Sequence, residues 1–82
     1  MPRFYFNFVH GSDVFEDAEG AELPDPKTAR EHAILAARDV MRTRFARFGP
    51  DWSGWSVRVC DEARSSVLAV SFADVEHDQR RL

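Results

Sequence analysis

The residues best suited to hold a metal ion in this chain are three histidines and one cysteine: His10, His32, His77 and Cys60. Protein metal sites usually draw ligands from short spacings such as His-x-x-x-His or Cys-x-x-Cys. None of the four residues stands at such a spacing from another. We therefore expect no metal site, and no residue pattern in the chain indicates another cofactor.

Catalysis by a nucleophile needs a base beside it, and one short stretch contains the right residue types. His10, Ser12 and Asp13 supply an imidazole, a hydroxyl and a carboxylate, the groups that cooperate in acyl transfer. Gly11-Ser12-Asp13 is also typical of a hairpin turn, in which serine and aspartate hydrogen-bond the backbone. Cys60 has no base near it in sequence and is better explained as a packing residue. The turn explains these residues more simply, so we expect the protein not to be an enzyme.

Nucleic-acid binding is an alternative that depends on the end of a predicted helix. Arg38, Arg42, Arg44 and Arg47 are followed by Trp52, and guanidinium groups bind phosphate while indole rings stack on unpaired bases. Basic residues near a helix C-terminus also favour the helix dipole, which explains all of them except Arg44, since Arg44 falls in the apolar half of the helix. The net charge of −3 gives nucleic-acid binding no further support.

An acidic segment precedes this basic one. Residues 13–25 carry six acids and no base, so a basic partner could dock there, although such charge runs are more often solvated loops. The acids that we consider for docking are Glu16, Asp17, Glu19 and Glu22.

The first third of the chain predicts a hairpin and a loop. Apolar and mixed residues alternate from Arg3 to His10, the period of a half-buried strand. Turn residues follow at 11–13, and residues 14–17 are long enough to return as a second, antiparallel strand. Residues 17–24 are typical of a loop around Gly20.

The middle third predicts one long helix. Asp25 is suited to cap a helix whose first residue is Pro26, and good helix formers continue to Phe48, before Gly49-Pro50. The alanine-rich apolar half of this helix predicts packing on one face of a sheet, with Leu35 exposed on the outer face.

The last third predicts a second hairpin. Residues 55–60 alternate as a third strand, 61–65 must turn, and 67–72 form the fourth strand. The charged stretch from Val75 to Leu82 is expected to fray. The prediction is therefore a ββαββ protein of the α+β class, with one antiparallel four-stranded sheet and one helix across one face. The domain covers residues 1–75 and a flexible tail covers 76–82, while the order of the two hairpins in the sheet stays open.

The second face of this sheet is the strongest indication of a partner. Tyr5, Val9 and Cys60, with either Phe15 or Val14, would leave an apolar patch if a single helix covers the sheet. At 82 residues the chain forms one domain with a small core. A homodimer that buries this face or pairs edge strands would complete the core.

Location follows from what the chain lacks. A single cysteine agrees with a reducing compartment. Met1-Pro2-Arg3 leads directly into Phe4-Tyr5-Phe6 without a secretory signal, and no run of about 18 apolar residues is present. We expect a cytoplasmic protein that does not bind membranes.

The chain carries an ordered set of short motifs over residues 1–75: Met1-Pro2-Arg3-Phe4-Tyr5-Phe6, His10-Gly11, Glu16-Asp17, Glu19-Gly20, Leu23-Pro24-Asp25, Ala29 and Ala33, Val57, Asp61-Glu62, Val70 and Phe72-Ala73-Asp74. In this order they resemble a bacterial family of short proteins classed only as a domain of unknown function. The resemblance implies the strand-strand-helix-strand-strand order and no activity. In that family a glycine usually turns the last hairpin where this chain has Ala63-Arg64-Ser65, and proline is common at Ser71.

A weaker, architectural likeness over residues 3–45 is to the antitoxin partners of small bacterial toxin systems. Our leading hypothesis is a non-catalytic protein-interaction or regulatory module that forms a homodimer or binds an unidentified protein. The residues that we assign to this interaction are Tyr5, Val9, Phe15 and Leu35 with the four acids named above. The alternative is a nucleic-acid-linked, antitoxin-like regulator that uses the arginine-rich helix end.

Overall fold

Five strands and one long helix make up the part of the chain that the structure, a computed structural model, describes: residues 1–43, 52 and 54–75. They are β1 (Arg3–His10), β2 (Asp13–Phe15), β3 (Ala21–Glu22), α1 (Pro26–Thr43), β4 (Trp55–Cys60) and β5 (Ser66–Ser71). The predicted α+β class and ββαββ order are confirmed. The short strand β3 is an addition, since it lies in the segment predicted to be a loop.

All strand pairs are antiparallel, and the order across the sheet is β2-β1-β4-β5. The first and last thirds of the chain therefore meet through β1 and β4 at the centre of the sheet. β3 pairs with the beginning of β1, on the edge that β2 also occupies. Residues 16–20 lie opposite residues 5–7 of β1, so this edge bulges between β2 and β3.

The helix begins where the sequence predicts. The Thr28 backbone N–H donates to the Asp25 carboxylate at 2.8 Å, and the Ala29 N–H donates to the Asp25 carbonyl at 3.1 Å. The bond from Thr28 favours the charged carboxylate and lowers the pKa of Asp25. The predicted continuation of the helix to Phe48 lies outside the described residues.

The core lies between the helix and one face of the sheet. Ala29, Ala33 and Ala37 are fully buried, and their small side chains let α1 lie close over β4 and β5. Val57 and Val59 of β4 are fully buried beneath the helix. Because side chains alternate along a strand, the neighbouring residues of β4 point to the face that the helix does not cover.

The segment after β5 differs from the prediction. Residues 72–75 form a helical turn, whereas the sequence pattern predicts a strand at Phe72 and a frayed tail from Val75. Both Phe72 and Val75 are buried in the core. The turn brings them back under the helix, which a pattern read along a strand does not predict. Residues 76–82, the predicted flexible tail, lie outside the described residues.

The β4–β5 connection places a bulky residue in a conformation suited to glycine. Arg64 has a φ of 66°, and the turn is closed by bonds between Asp61 and both Arg64 and Ser65. The Asp61 carboxylate also accepts the Ala63 and Ser65 N–H groups. These bonds hold Arg64 in the left-handed region despite its side chain.

We expect Arg64→Gly to raise the free energy of unfolding by about 0.5–1 kcal/mol. A side chain in the left-handed region costs about 1–2 kcal/mol, partly offset by the greater unfolded-state entropy of glycine. Urea denaturation measures the change. Ala63→Gly is the matched control, because the φ of Ala63 is not positive, and it should give no gain. An equal gain from both variants would contradict the assignment of strain to Arg64.

Candidate interaction surface

The outer side of β5, which we call the β5 edge, is an open edge of the sheet. β5 pairs with β4 on one side and with no described strand on the other. Its sequence, Ser-Val-Leu-Ala-Val-Ser, contains no charge, proline or glycine. Proteins usually protect an open edge with charged residues, proline or a bulge. In β5 itself only the register shift at Val67 interrupts the strand. The β5 edge therefore offers a backbone surface on which another strand can pair.

The side chains of β5 divide cleanly between the two faces. Leu68 and Val70 lie opposite Val59 and Val57 and face the helix, where Val70 is buried and Leu68 half-buried. Ala69 points to the other face and is exposed. A register shift interrupts pairing with β4 between Leu68 and Ser66, so the regular part of the edge is centred on Ala69.

The opposite edge of the sheet is protected by Asp17. Its carboxylate accepts the Phe6 backbone N–H at 3.2 Å, which would otherwise point out of the sheet at the bulge. The same carboxylate accepts the N–H groups of Glu19 and Gly20, each at 3.1 Å, and the Asp17 N–H donates to the Asn7 side chain. Asp17 thus replaces a missing strand residue and divides this edge into two short strands.

Gly20 is required at the same bulge. Its φ is +70°, and a Cβ atom there would lie 2.8 Å from the Phe4 carbonyl oxygen. Arg3 fastens the outer part of the bulge, because its guanidinium donates to the Glu19 carbonyl at 2.8 Å and pairs with Glu22 at 2.9 Å. Within the acidic segment, the carboxylates of Asp17 and Glu22 therefore hold this edge together.

One flank of α1 lies above the β5 edge. The His32 ring lies 4.5 Å from the ring of Phe6 on β1, so the flank that carries His32 faces β1. Successive residues of a helix are about 100° apart, so the opposite flank carries Ile34 and Arg38, and Glu31 lies beside them, further from the sheet. We call these three residues the β5-side flank. Arg38 is half-buried, and its Nε is buried without a hydrogen-bond partner.

A concavity of about 890 Å³ lies on the helix-free face of the sheet. Its lining includes Tyr5, Asn7, Arg58 and Cys60. The Asn7 amide donates to the Cys60 sulfur at 3.8 Å, and no histidine is among the described residues that line it. The thiol thus accepts a hydrogen bond from an amide, and no histidine among the described lining residues is placed to take its proton.

Aromatic rings gather where β1 and β4 meet the first turn. The His10 ring stacks on Trp55 with centroids 4.8 Å apart, and Phe15 stacks on Trp55 at 5.9 Å. Of the residues considered for catalysis, Asp13 lies directly opposite His10 in the β1–β2 pair. The His10 ring stacks on Trp55, and Ser12 lies in the turn between the two strands. The turn interpretation of Ser12 agrees with this placement.

The structure changes the predicted apolar patch on the second face. Val9 and Cys60 are each 8% exposed and already buried within one subunit. Asn7 and Arg58 are opposite each other in the sheet, between Val9 and Cys60. This face therefore carries polar as well as apolar side chains. The patch is therefore smaller than predicted.

The remaining interaction candidates divide by position. Phe15 lies opposite Phe8 and faces the helix side, so Val14 is the residue of β2 on the second face. Phe15, Glu16 and Leu35 are exposed, and Tyr5 is half-buried in the concavity. Asp17 and Glu22 hold the bulged edge, as described above.

Of the nucleic-acid candidates, Arg38 and Arg42 lie one turn apart on the same side of α1. Trp52 is 4% exposed, with its ring 5.5 Å from that of Phe72. The Trp52 ring is therefore buried among other aromatic rings, and stacking on a base would require it to leave this position. Arg42 pairs with Asp39 at 3.1 Å. Arg44 and Arg47 lie outside the described residues.

Neither a metal site nor a membrane span is found in the described part of the chain. No three His, Cys, Asp or Glu side chains converge there to hold a metal. No described helix has the length and apolar content to cross a bilayer.

The β5 edge is the candidate surface that the sequence alone does not single out, although it predicts edge pairing in general. The uncharged run of residues 66–71 is visible in the sequence. Its position at an edge depends on the strand order, which only the long-range pairing of β1 with β4 establishes.

Comparison with known proteins gives one match. A family model described as a domain of unknown function (DUF6894) matches residues 3–73. No curated protein and no solved structure matches the chain.

Proposed function

Because the chain belongs to the DUF6894 family, a domain of unknown function, we propose its function from its surface. It is a non-catalytic interaction module that self-associates by pairing the β5 edge of one subunit with that of a second. The observation that carries this proposal is an uncharged edge strand that pairs with no described strand on its outer side, opposite an edge that Asp17 protects.

Two-fold symmetry suits this edge. Antiparallel strands related by an axis perpendicular to the sheet keep both helices on one face. If the axis passes at Ala69, Leu68 lies opposite the partner subunit's Val70. Both residues face the helix side, so the apolar layer continues across the two subunits. No charged residue of β5 opposes this arrangement.

The gain to the protein is twofold. Backbone groups on the outer side of β5 obtain partners, and the half-buried Leu68 loses solvent-exposed surface. A domain of this length buries a limited core by itself, so a sheet shared between two subunits adds stability as well as a binding surface.

Ala69→Glu tests the proposal. The two introduced carboxylates, one from each subunit, would face each other at the two-fold axis, and like charges directly opposite in a sheet are unfavourable. Within one subunit the new carboxylate lies beside Arg58, so the fold should tolerate it. We expect the wild type to be a dimer by equilibrium sedimentation and the variant to raise the dimer dissociation constant by at least about tenfold.

Ala18→Glu is the matched control, since Ala18 is exposed near the opposite edge; its dissociation constant should be that of the wild type. Circular dichroism verifies that all three proteins fold. A wild type that stays monomeric at about 500 µM, well above a micromolar dissociation constant, would overturn the proposal. Equal dimerisation of Ala69→Glu and wild type would show that the dimer uses another surface.

A further inference from the structure

We infer that the concavity on the helix-free face of the sheet binds a small zwitterion, a molecule that carries one carboxylate and one ammonium group, as an amino acid or a short peptide does. Its volume of about 890 Å³ lies within the range of about 300–1,000 Å³ that is usual for small-molecule sites. The inference does not depend on the proposed pairing, because pairing uses the outer side of β5 and leaves this face of the sheet open.

Two arginines line the concavity without an acceptor. Arg58 lies at the centre of the sheet, opposite Asn7 on β1 and Ala69 on β5, and Arg64 lies in the turn that follows β4. Both are exposed, and neither guanidinium forms an ion pair or a hydrogen bond with a described residue. A guanidinium group binds a carboxylate through two parallel N–H···O bonds. We therefore place the carboxylate of the ligand at this pair.

The backbone of Arg64 gives independent support for a role of its side chain. Its φ of 66° is unfavourable for any residue that has a Cβ atom, and such strain is concentrated at functional sites. No hydrogen bond or ion pair from the side chain to a described residue offsets this cost. Carboxylate binding is a function that glycine, the residue best suited to this backbone, could not supply.

The acids around the concavity complement the other end of the ligand. Four acids of the described chain line it, so a ligand with negative charge alone would be repelled. Asp17 and Asp61 already accept backbone N–H groups, and Glu62 accepts the Arg3 N–H at 3.2 Å. Glu16 is exposed and has no hydrogen-bond or ion-pair partner for its carboxylate among the described residues. Glu16 is thus the acid that accepts the ammonium group.

Triglycine tests the inference, because it carries both charged ends and no side chain. In nitrogen–proton NMR spectra we expect it to bind with a dissociation constant of about 1 mM or below and to shift the amides of Tyr5, Asn7, Arg58 and Cys60. Triglycine amide lacks the carboxylate and N-acetyltriglycine lacks the ammonium group, so each should bind about tenfold more weakly. Glycine distinguishes the two sources: binding as tight as that of triglycine assigns the site to free amino acids, and weaker binding assigns it to peptides.

Variants identify the groups that bind. Arg58→Gln and Glu16→Gln should each weaken triglycine binding about five- to tenfold. Arg64→Gly should also weaken binding although it stabilises the fold against urea, so its lost affinity cannot come from unfolding. Arg30→Gln is the matched control, since Arg30 is exposed on α1 and does not line the concavity; it should bind as the wild type does.

Three results would contradict the zwitterion site. One is the absence of shifts at the lining residues at about 10 mM triglycine. Another is equal binding by Arg58→Gln and the wild type. The third is binding of inorganic phosphate as tightly as triglycine, which would show a site for anions alone. None of these results bears on the dimer, which equilibrium sedimentation measures without any ligand.

Discussion

Phe72→Ala is expected to lower the free energy of unfolding by about 3–5 kcal/mol, the usual loss for a fully buried phenylalanine. Phe72 has no exposed surface. Its ring lies 5.5 Å from Trp52, 6.1 Å from Trp55 and 5.9 Å from Phe8. Removing it leaves a cavity where β5, the helical turn and the end of the sheet meet. A domain of this size has a total stability of about 4–12 kcal/mol, so the variant should lose a large fraction of its stability and unfold at a clearly lower temperature than the wild type.

Urea denaturation followed by tryptophan fluorescence measures this loss, since both tryptophans contact Phe72. Phe72→Leu keeps most of the apolar volume and should lose less than about 1.5 kcal/mol. Phe15→Ala removes the same atoms at a position that is 52% exposed and should lose much less than Phe72→Ala. A loss below about 1 kcal/mol for Phe72→Ala would contradict its place in the core.

Asp17→Ala is expected to lower the free energy of unfolding by about 2–3 kcal/mol, because three backbone N–H groups lose a charged acceptor. Of the three, the Phe6 N–H is half-buried and is the least able to bond to water instead. The same change removes the protection of the β2–β3 edge, so the variant should also form larger assemblies than a dimer.

Thermal unfolding and equilibrium sedimentation measure the two effects, and hydrogen exchange of the Phe6 amide reports the local one. Asp13→Ala is the control, since Asp13 lies on the same edge, is exposed and receives no side-chain hydrogen bond from a described residue; it should change stability by less than about 0.5 kcal/mol. Normal protection of Phe6 in Asp17→Ala would show that Asp17 does not substitute for a strand residue.

Local patterns predict the regular elements of the fold. The alternation in β1 and β4 and the cap at Asp25 each lie within a few residues, so the sequence alone places them correctly. β3 escapes prediction because two residues carry no periodic pattern and form a strand only by pairing with Arg3 and Phe4. The charged neighbours of Val75 favour a tail, while its burial depends on the turn that follows β5.

The surface is less predictable because it depends on contacts distant in sequence. The charge of the acidic segment favours a docking loop, yet Asp17 accepts the N–H of Phe6, eleven residues away. The face of Phe15 becomes definite only with its register opposite Phe8. The position of Trp52 outside regular structure predicts an available ring, but the ring of Phe72 covers it.

The pairing of β1 with β4 also constrains how the chain can fold during its synthesis. β1 is made first, but its central neighbour begins at Trp55, so a long loop must close before the sheet forms. While the ribosome adds about 5–20 residues each second, β1 can pair only with β2 and β3. The phenylalanines of β1 therefore stay incompletely covered until β4 has left the ribosome exit tunnel, and it is during these seconds that a chaperone would protect the nascent chain.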